Sequence, residues 1–122
     1  MNAKQKYAHF LPRDFRKHQI KVHAGFLQQY DSCRQLIRDY AIVKQWRFNY
    51  PEILVTGHSL GGALSVLCAL DLACNPIAEN TVRIKVITFG APRTGNLGFC
   101  MLFNKMISYH IRCVHQHDVV PK

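Results

Sequence analysis

Long hydrophobic runs are missing from this chain. The longest apolar stretch, around Val66–Leu72, carries polar residues and is far too short to cross a bilayer. The first ten residues, MNAKQKYAHF, contain no apolar core of the kind a cleaved secretion signal needs. No segment repeats at a fixed period and none is low in complexity, which excludes solenoids and compositionally biased linkers. Neither a C-x-x-C pair nor zinc-like Cys/His spacing occurs, so no metal site is expected. Acidic residues are scarce as well: 7 Asp+Glu stand against 16 Lys+Arg, a formal charge of +9. What remains, 122 residues at 48% hydrophobic and 19% charged, has the composition of one small packed domain rather than of a disordered chain.

A surplus of positive charge favours anionic partners such as nucleic acid or phospholipid head groups. The basic residues are scattered, however. Arg13, Arg16, Lys17 and Lys21 form the one dense group, and it lacks the interleaved aromatics of a base-stacking platform. Nucleic-acid binding is therefore not expected, and peripheral contact with an anionic lipid interface is the partner the charge suits better. The five cysteines, Cys33, Cys68, Cys74, Cys100 and Cys113, cannot all pair internally. Most fall where a thiol acts as a small hydrophobe, so a reducing, cytoplasmic compartment is the natural reading.

Residues 1–19 are polar and basic with Pro12 breaking any helix, and they read as an arm or loop. His18–Val22 forms a short strand leading to Gly25. From Phe26 the apolar positions Phe26, Tyr30, Cys33, Ile37, Tyr40 and Ala41 keep helical spacing, with Arg34, Arg38 and Lys44 on the wet side. Ile53–Thr56 is a short β-branched strand. Leu60–Cys74 is apolar on nearly every face, a helix buried between sheet and neighbour, stopped by Asn75-Pro76. Val82–Phe89, Leu97–Ile107 and Tyr109–Val114 follow as strand, helix and strand. Alternation with short links gives an α/β fold, a mostly parallel sheet flanked by helices.

The sharpest signal is Gly57-His58-Ser59-Leu60-Gly61, a G-x-S-x-G between a predicted strand and a predicted helix. A serine hydroxyl is a poor nucleophile unless a base takes its proton and its oxygen stands clear of the backbone. A tight, strained strand-to-helix turn presents it that way. Glycines two before and two after Ser59 let helix and strand approach, and the N–H of Leu60, at the helix start, can hold a developing oxyanion. Gly-rich turns also open phosphate-binding helices, but there is no Gly-Lys-Ser/Thr and no G-x-G-x-x-G here. Asp118, in Asp-Val-Val-Pro, reads on its own as the start of a turn.

Four ordered stretches, Lys21–Phe26, Thr56–Ala63, Phe89–Asn96 and His117–Pro121, resemble the class 3 (fungal-type) lipase family of the α/β-hydrolase fold. The resemblance spans residues 20–122, so residues 20–122 read as a partial class 3 lipase-like domain after a basic arm. It implies a lipid or carboxylic ester hydrolase acting without cofactor. In it Ser59 is the nucleophile, Asp118 the triad carboxylate and Leu60 an oxyanion donor. It makes Phe89–Asn96 architectural, with Arg93 or Asn96 tying the loop to its neighbours, and His58 a packing residue beneath the nucleophile.

The Ser…Asp…His order of this fold asks for a histidine after Asp118, and none follows. Nor does an Arg-Gly-Thr-like oxyanion turn precede His23. The expectation is a chain truncated at both ends, missing a strand beside the elbow strand, that alone hydrolyses esters poorly or not at all. The alternative is an inactive lipase-like module that binds lipid or another partner. Acyl length, head group, lid, localisation and oligomeric state are not encoded legibly.

Overall fold

The structure is a computed structural model that describes residues 4–16 and 19–114. Its centre is a three-stranded parallel sheet. Strand β3 (Glu52–His58) pairs with β4 (Arg83–Phe89), and β4 with β5 (Tyr109–Cys113), so that β4 lies in the middle. A two-stranded antiparallel hairpin, β1 (Gln5–Tyr7) with β2 (Lys21–His23), stands apart from it. The helices are α1 (Arg13–Arg16), α2 (Ala24–Phe48), α3 (Leu60–Cys74) and α4 (Leu97–Met106). The α/β class read from the sequence is the observed one, and the four later elements start and stop within a residue of expectation.

Helix α3 is the hub. Small and branched side chains at Ala63, Leu67, Ala69 and Leu70 are wholly removed from water along its middle. That lets it lie across β3 and β4 on one side while α2 and α4 pack on the other. Sheet residues Ile84, Val86 and Thr88 face this helical layer and are buried. Each Val, Leu or Ile side chain so withdrawn from water contributes about 1.5–3 kcal/mol before the entropy of ordering is subtracted. Among the described residues no helix is long and apolar enough to cross a membrane.

Two expectations are corrected. The stretch 1–19 is not an arm over the residues described there. Gln5–Tyr7 pair with β2, and Ala8, Phe10 and Leu11 are buried in the main core, Phe10 edge-on to Tyr30 at 5.8 Å. The polar composition and Pro12 suggested a loop, but three apolar residues with a long-range partner outweigh local propensity. Secondly, the apolar stripe of α2 is buried only in its first half: Leu27 and Tyr30 are covered, whereas Tyr40 is 65% exposed. Arg34 and Arg38 are not on a wet face either. Both turn inward to Asp71 of α3, Arg34 at 2.6 Å and Arg38 at 3.5 Å.

Candidate active site

Strand β3 ends at His58 and α3 begins at Leu60, so a single residue, Ser59, makes the turn. Its backbone sits at φ 54, ψ −121, a left-handed conformation that costs a non-glycine residue about 1–3 kcal/mol. Several contacts hold it there. The Ser59 N–H donates to the Phe89 carbonyl at 2.8 Å, extending the β3–β4 ladder through the turn. The Ser59 carbonyl accepts from Gly62 and Ala63. That leaves the N–H groups of Leu60 and Gly61 at the helix N-terminus without a helical acceptor, pointing the positive end of α3 out beside the serine.

The packing of the turn explains its glycines, though not quite as the spacing suggested. A Cβ on Gly57 would lie 2.2 Å from the Gly61 carbonyl oxygen, and one on Gly62 would lie 2.7 Å from the Ala91 Cβ. Both are impossible contacts with backbone or a rigid methyl. Gly61 itself has open space around its missing Cβ. Its backbone is what Gly57 makes room for, and Gly62, one position further, is what lets α3 approach the loop after β4. Ser65 completes the seam by donating to the Gly61 carbonyl at 2.7 Å.

Of the two residues that the resemblance offered as ties for the loop Phe89–Asn96, Asn96 is the one that reaches its neighbours, while Arg93 bonds within the loop. Arg93 Nε donates to the Gly95 carbonyl at 3.2 Å, and Asn96 reaches further. The Asn96 side-chain oxygen accepts from Lys21 N–H at 3.2 Å and from Phe99 N–H at 2.9 Å, and its amide donates to the Gln19 carbonyl at 2.8 Å. Arg112 donates to the Ala91 carbonyl at 3.0 Å. A cavity of about 200 Å³ lined by Val66, Thr88, Ala91, Phe99 and His110 lies behind this loop, and Ser59 does not line it.

Three of the described histidines are engaged away from Ser59. His23 caps α2, its Nδ1 accepting from Gly25 and Phe26, with its ring stacked on Phe26 at 4.0 Å. His9 pairs with Asp31 at 2.6 Å, and His110 packs edge-on against Phe103. His58 is exposed rather than packed beneath the nucleophile, because its side of the sheet carries no covering element among the described residues. Asp118, His115 and His117 lie outside the described residues. Among those described, neither a histidine nor a carboxylate hydrogen-bonds the Ser59 hydroxyl, and no three His, Cys, Asp or Glu side chains assemble to hold a metal.

The chain matches the family model described as "Lipase (class 3)" over residues 2–122. It belongs to the class 3 lipase family. It is 40% identical over 100 residues to "Lipase ZK262.3" of Caenorhabditis elegans, across 82% of this chain and 28% of that protein. The lipase from Rhizopus microsporus var. chinensis superposes with a TM-score of 0.78 at 29% identity, covering 99% of this chain and 40% of that one. Rhizomucor miehei triacylglyceride lipase superposes with a TM-score of 0.75 at 34% identity, covering 84% of this chain and 38% of that one. The chain thus spans 28% of the curated relative and 38–40% of the two solved lipases. The partial α/β-hydrolase architecture is the one these lipases share.

One buried group in this class 3 lipase chain escaped the sequence reading. Asp71 is fully buried near the far end of α3. It is bound by Arg34 through two hydrogen bonds, by Arg38, by the Tyr30 hydroxyl and by the Asn75 amide. Burial alone pushes its carboxyl upward, but the hydrogen bonds from Arg34, Tyr30 and Asn75 together outweigh that and hold it below the usual carboxylate range. Burial beside the same cluster drives the Tyr30 phenol far upward and the Cys68 thiol to about 11. A lone acid in a helix otherwise apolar on every face is the signal that demanded such partners.

Proposed function

We propose that the domain containing this chain hydrolyses lipid carboxylic esters, with Ser59 as nucleophile. The observation that carries the reading is the backbone of Ser59. A non-glycine residue is held at φ 54 between strand and helix, with Gly57, Gly61 and Gly62 arranged so that the turn can close. Strain of this kind has little use in a purely structural turn. The neighbouring families support it by name, being lipases, and the Rhizomucor miehei protein is titled a triacylglyceride lipase.

In the proposed reaction Ser59 Oγ attacks the ester carbonyl carbon and gives its proton to a histidine. The negative oxygen of the tetrahedral intermediate accepts the Leu60 N–H. Collapse expels the alcohol, which takes the proton back from the histidine, and water then releases the fatty acid by the same route. Asp118 is the carboxylate that orients and stabilises this histidine. The base itself comes from outside the described residues. The +9 charge suits a lipid interface carrying anionic head groups.

The test is to treat the native product, as cells make it, with a fluorescent fluorophosphonate and map the modified peptide. Labelling at Ser59, abolished by Ser59→Ala, supports the reading. A folded native protein that carries no label at Ser59 overturns it.

A further inference from the structure

The outer surface of α2 carries side chains that its packing does not use. Inward, Tyr30, Arg34, Arg38 and Gln45 keep helical spacing and are buried or half-buried along the helix, the first three bound to Asp71 of α3. Outward, its second half carries Leu36 at 75% exposed, Val43 at 61% and Trp46 at 87%. At about 100° per residue, Leu36 and Val43 lie roughly half a turn round the helix from Gln45, and Trp46 roughly a quarter turn. The helix meets α3 through its other side, so this apolar surface stands in water.

Bases and aromatic rings interleave on it. Lys44 Nζ stands 5.4 Å from the Tyr40 ring and 5.5 Å from that of Phe48, and Arg47 lies 5.3 Å from the same Phe48 ring. Phe48 in turn meets Tyr50 at 5.5 Å. Among the described residues neither Lys44 nor Arg47 pairs with a carboxylate. Asp39, the one acid in this half of the helix, is bound by Gln35 at 2.7 Å. Val43, Trp46 and Arg47 lie outside the groove that Leu36, Tyr40 and Lys44 share with Leu54 of β3.

We propose that the outer surface of the second half of α2, centred on Trp46, anchors the domain to an anionic phospholipid surface at a place separate from the serine. Trp and Tyr rings, apolar in body and polar at the tip, settle at head-group depth. The stems of Lys44 and Arg47 lie along the same apolar surface and carry their charges to phosphate, and the +9 of the chain adds attraction of the same sign. A sheet of phosphates satisfies both cations in any rotamer, whereas a protein partner would have to place an acid opposite each. The location separates this contact from the chemistry. Strand β3 starts beside the end of α2 and runs seven residues to the turn at Ser59, so about 20 Å of strand lies between them. Anchoring at Trp46 therefore leaves the elbow unoccupied. The proposal goes beyond ester hydrolysis and does not rest on the role of Ser59.

The native product is sedimented with vesicles of ether-linked phosphatidylserine and phosphatidylcholine, which hold no carboxylic ester to hydrolyse. Binding that needs phosphatidylserine and weakens with salt is expected. Trp46→Ala should weaken it about tenfold or more, and Lys44→Gln with Arg47→Gln about tenfold, each with the urea midpoint unchanged. Lys105→Gln, which removes an exposed base from α4, should change it less than about twofold. Binding that Trp46→Ala leaves intact overturns the proposal, as does equal binding to phosphatidylcholine alone or binding to neither. So does hydroxyl-radical footprinting that finds Trp46 already protected in the vesicle-free product, whether by further chain, a second copy or an acidic protein. Vesicle binding through Trp46 in a folded product that takes no fluorophosphonate at Ser59 would overturn the catalytic reading and leave this one standing.

Discussion

The two ends of α3 are built on opposite principles. At the N-terminal end a strained serine is held by backbone hydrogen bonds and by the absence of a Cβ at Gly57 and at Gly62, with its hydroxyl left without a partner among the described residues. At the C-terminal end a buried carboxylate is satisfied by three side chains of α2 and by Asn75, the residue that caps α3. One end stores local strain and the other anchors the helix that stores it. A turn that costs free energy can persist only where its surroundings over-determine it, and the Asp71 cluster, locking α3 to α2, supplies part of that determination.

The contrast can be broken from either end. The largest effect belongs to Ser59→Ala: in the native product, hydrolysis of a p-nitrophenyl ester should fall on the order of 10⁴–10⁶-fold, with urea stability unchanged or slightly raised. Asp71→Ala should do the reverse. It takes the shared carboxylate from two part-buried guanidinium groups, of which Arg38 keeps the Asn75 carbonyl, and should lower unfolding free energy by about 3 kcal/mol in urea titration, while fluorophosphonate labelling per folded molecule persists. The same group sets a pH dependence. Its carboxyl is held low in the folded chain, so its stabilisation is present above pH about 4 and disappears as pH falls through the folded value. Thermal unfolding should therefore lose stability on acidification, and Asp71→Asn should flatten that slope.

Smaller effects sharpen the comparison within the elbow. Gly57→Ala drives a methyl into the Gly61 carbonyl and should cost about 1–3 kcal/mol together with most of the ester hydrolysis. Gly61→Ala meets open space and should change stability by less than about 1 kcal/mol in the same titration. Equal costs at the two positions would mean that the pattern of close approach is wrong.

The later part of the fold was legible because its signals are local. Gly57–Gly61 marks a turn between a β-branched run and an apolar run, and Asn75-Pro76 and Gly90-Ala91-Pro92 close their elements chemically. The N-terminal part was not, since the burial of Phe10 depends on Tyr30 and that of Arg34 on Asp71, partners 20 and 37 positions away. No periodicity reports such pairings. The position of Ser59 and Leu60 at the turn followed from the motif, but which glycine makes which close approach needed coordinates. Asp118 falls outside the described residues and stands as part of the proposal.

The grip of Asn96 on the N-terminal hairpin has a consequence in time. It bonds to Gln19 across 77 positions, and Thr94 receives the His23 N–H in the same strap. A ribosome adding about 5–20 residues per second takes roughly 4–15 s to cover that interval. Throughout it, β2 has been synthesised but its fastening has not. The hairpin therefore emerges well before the strap that fastens it, which leaves β2 exposed to wrong pairings for that interval of synthesis.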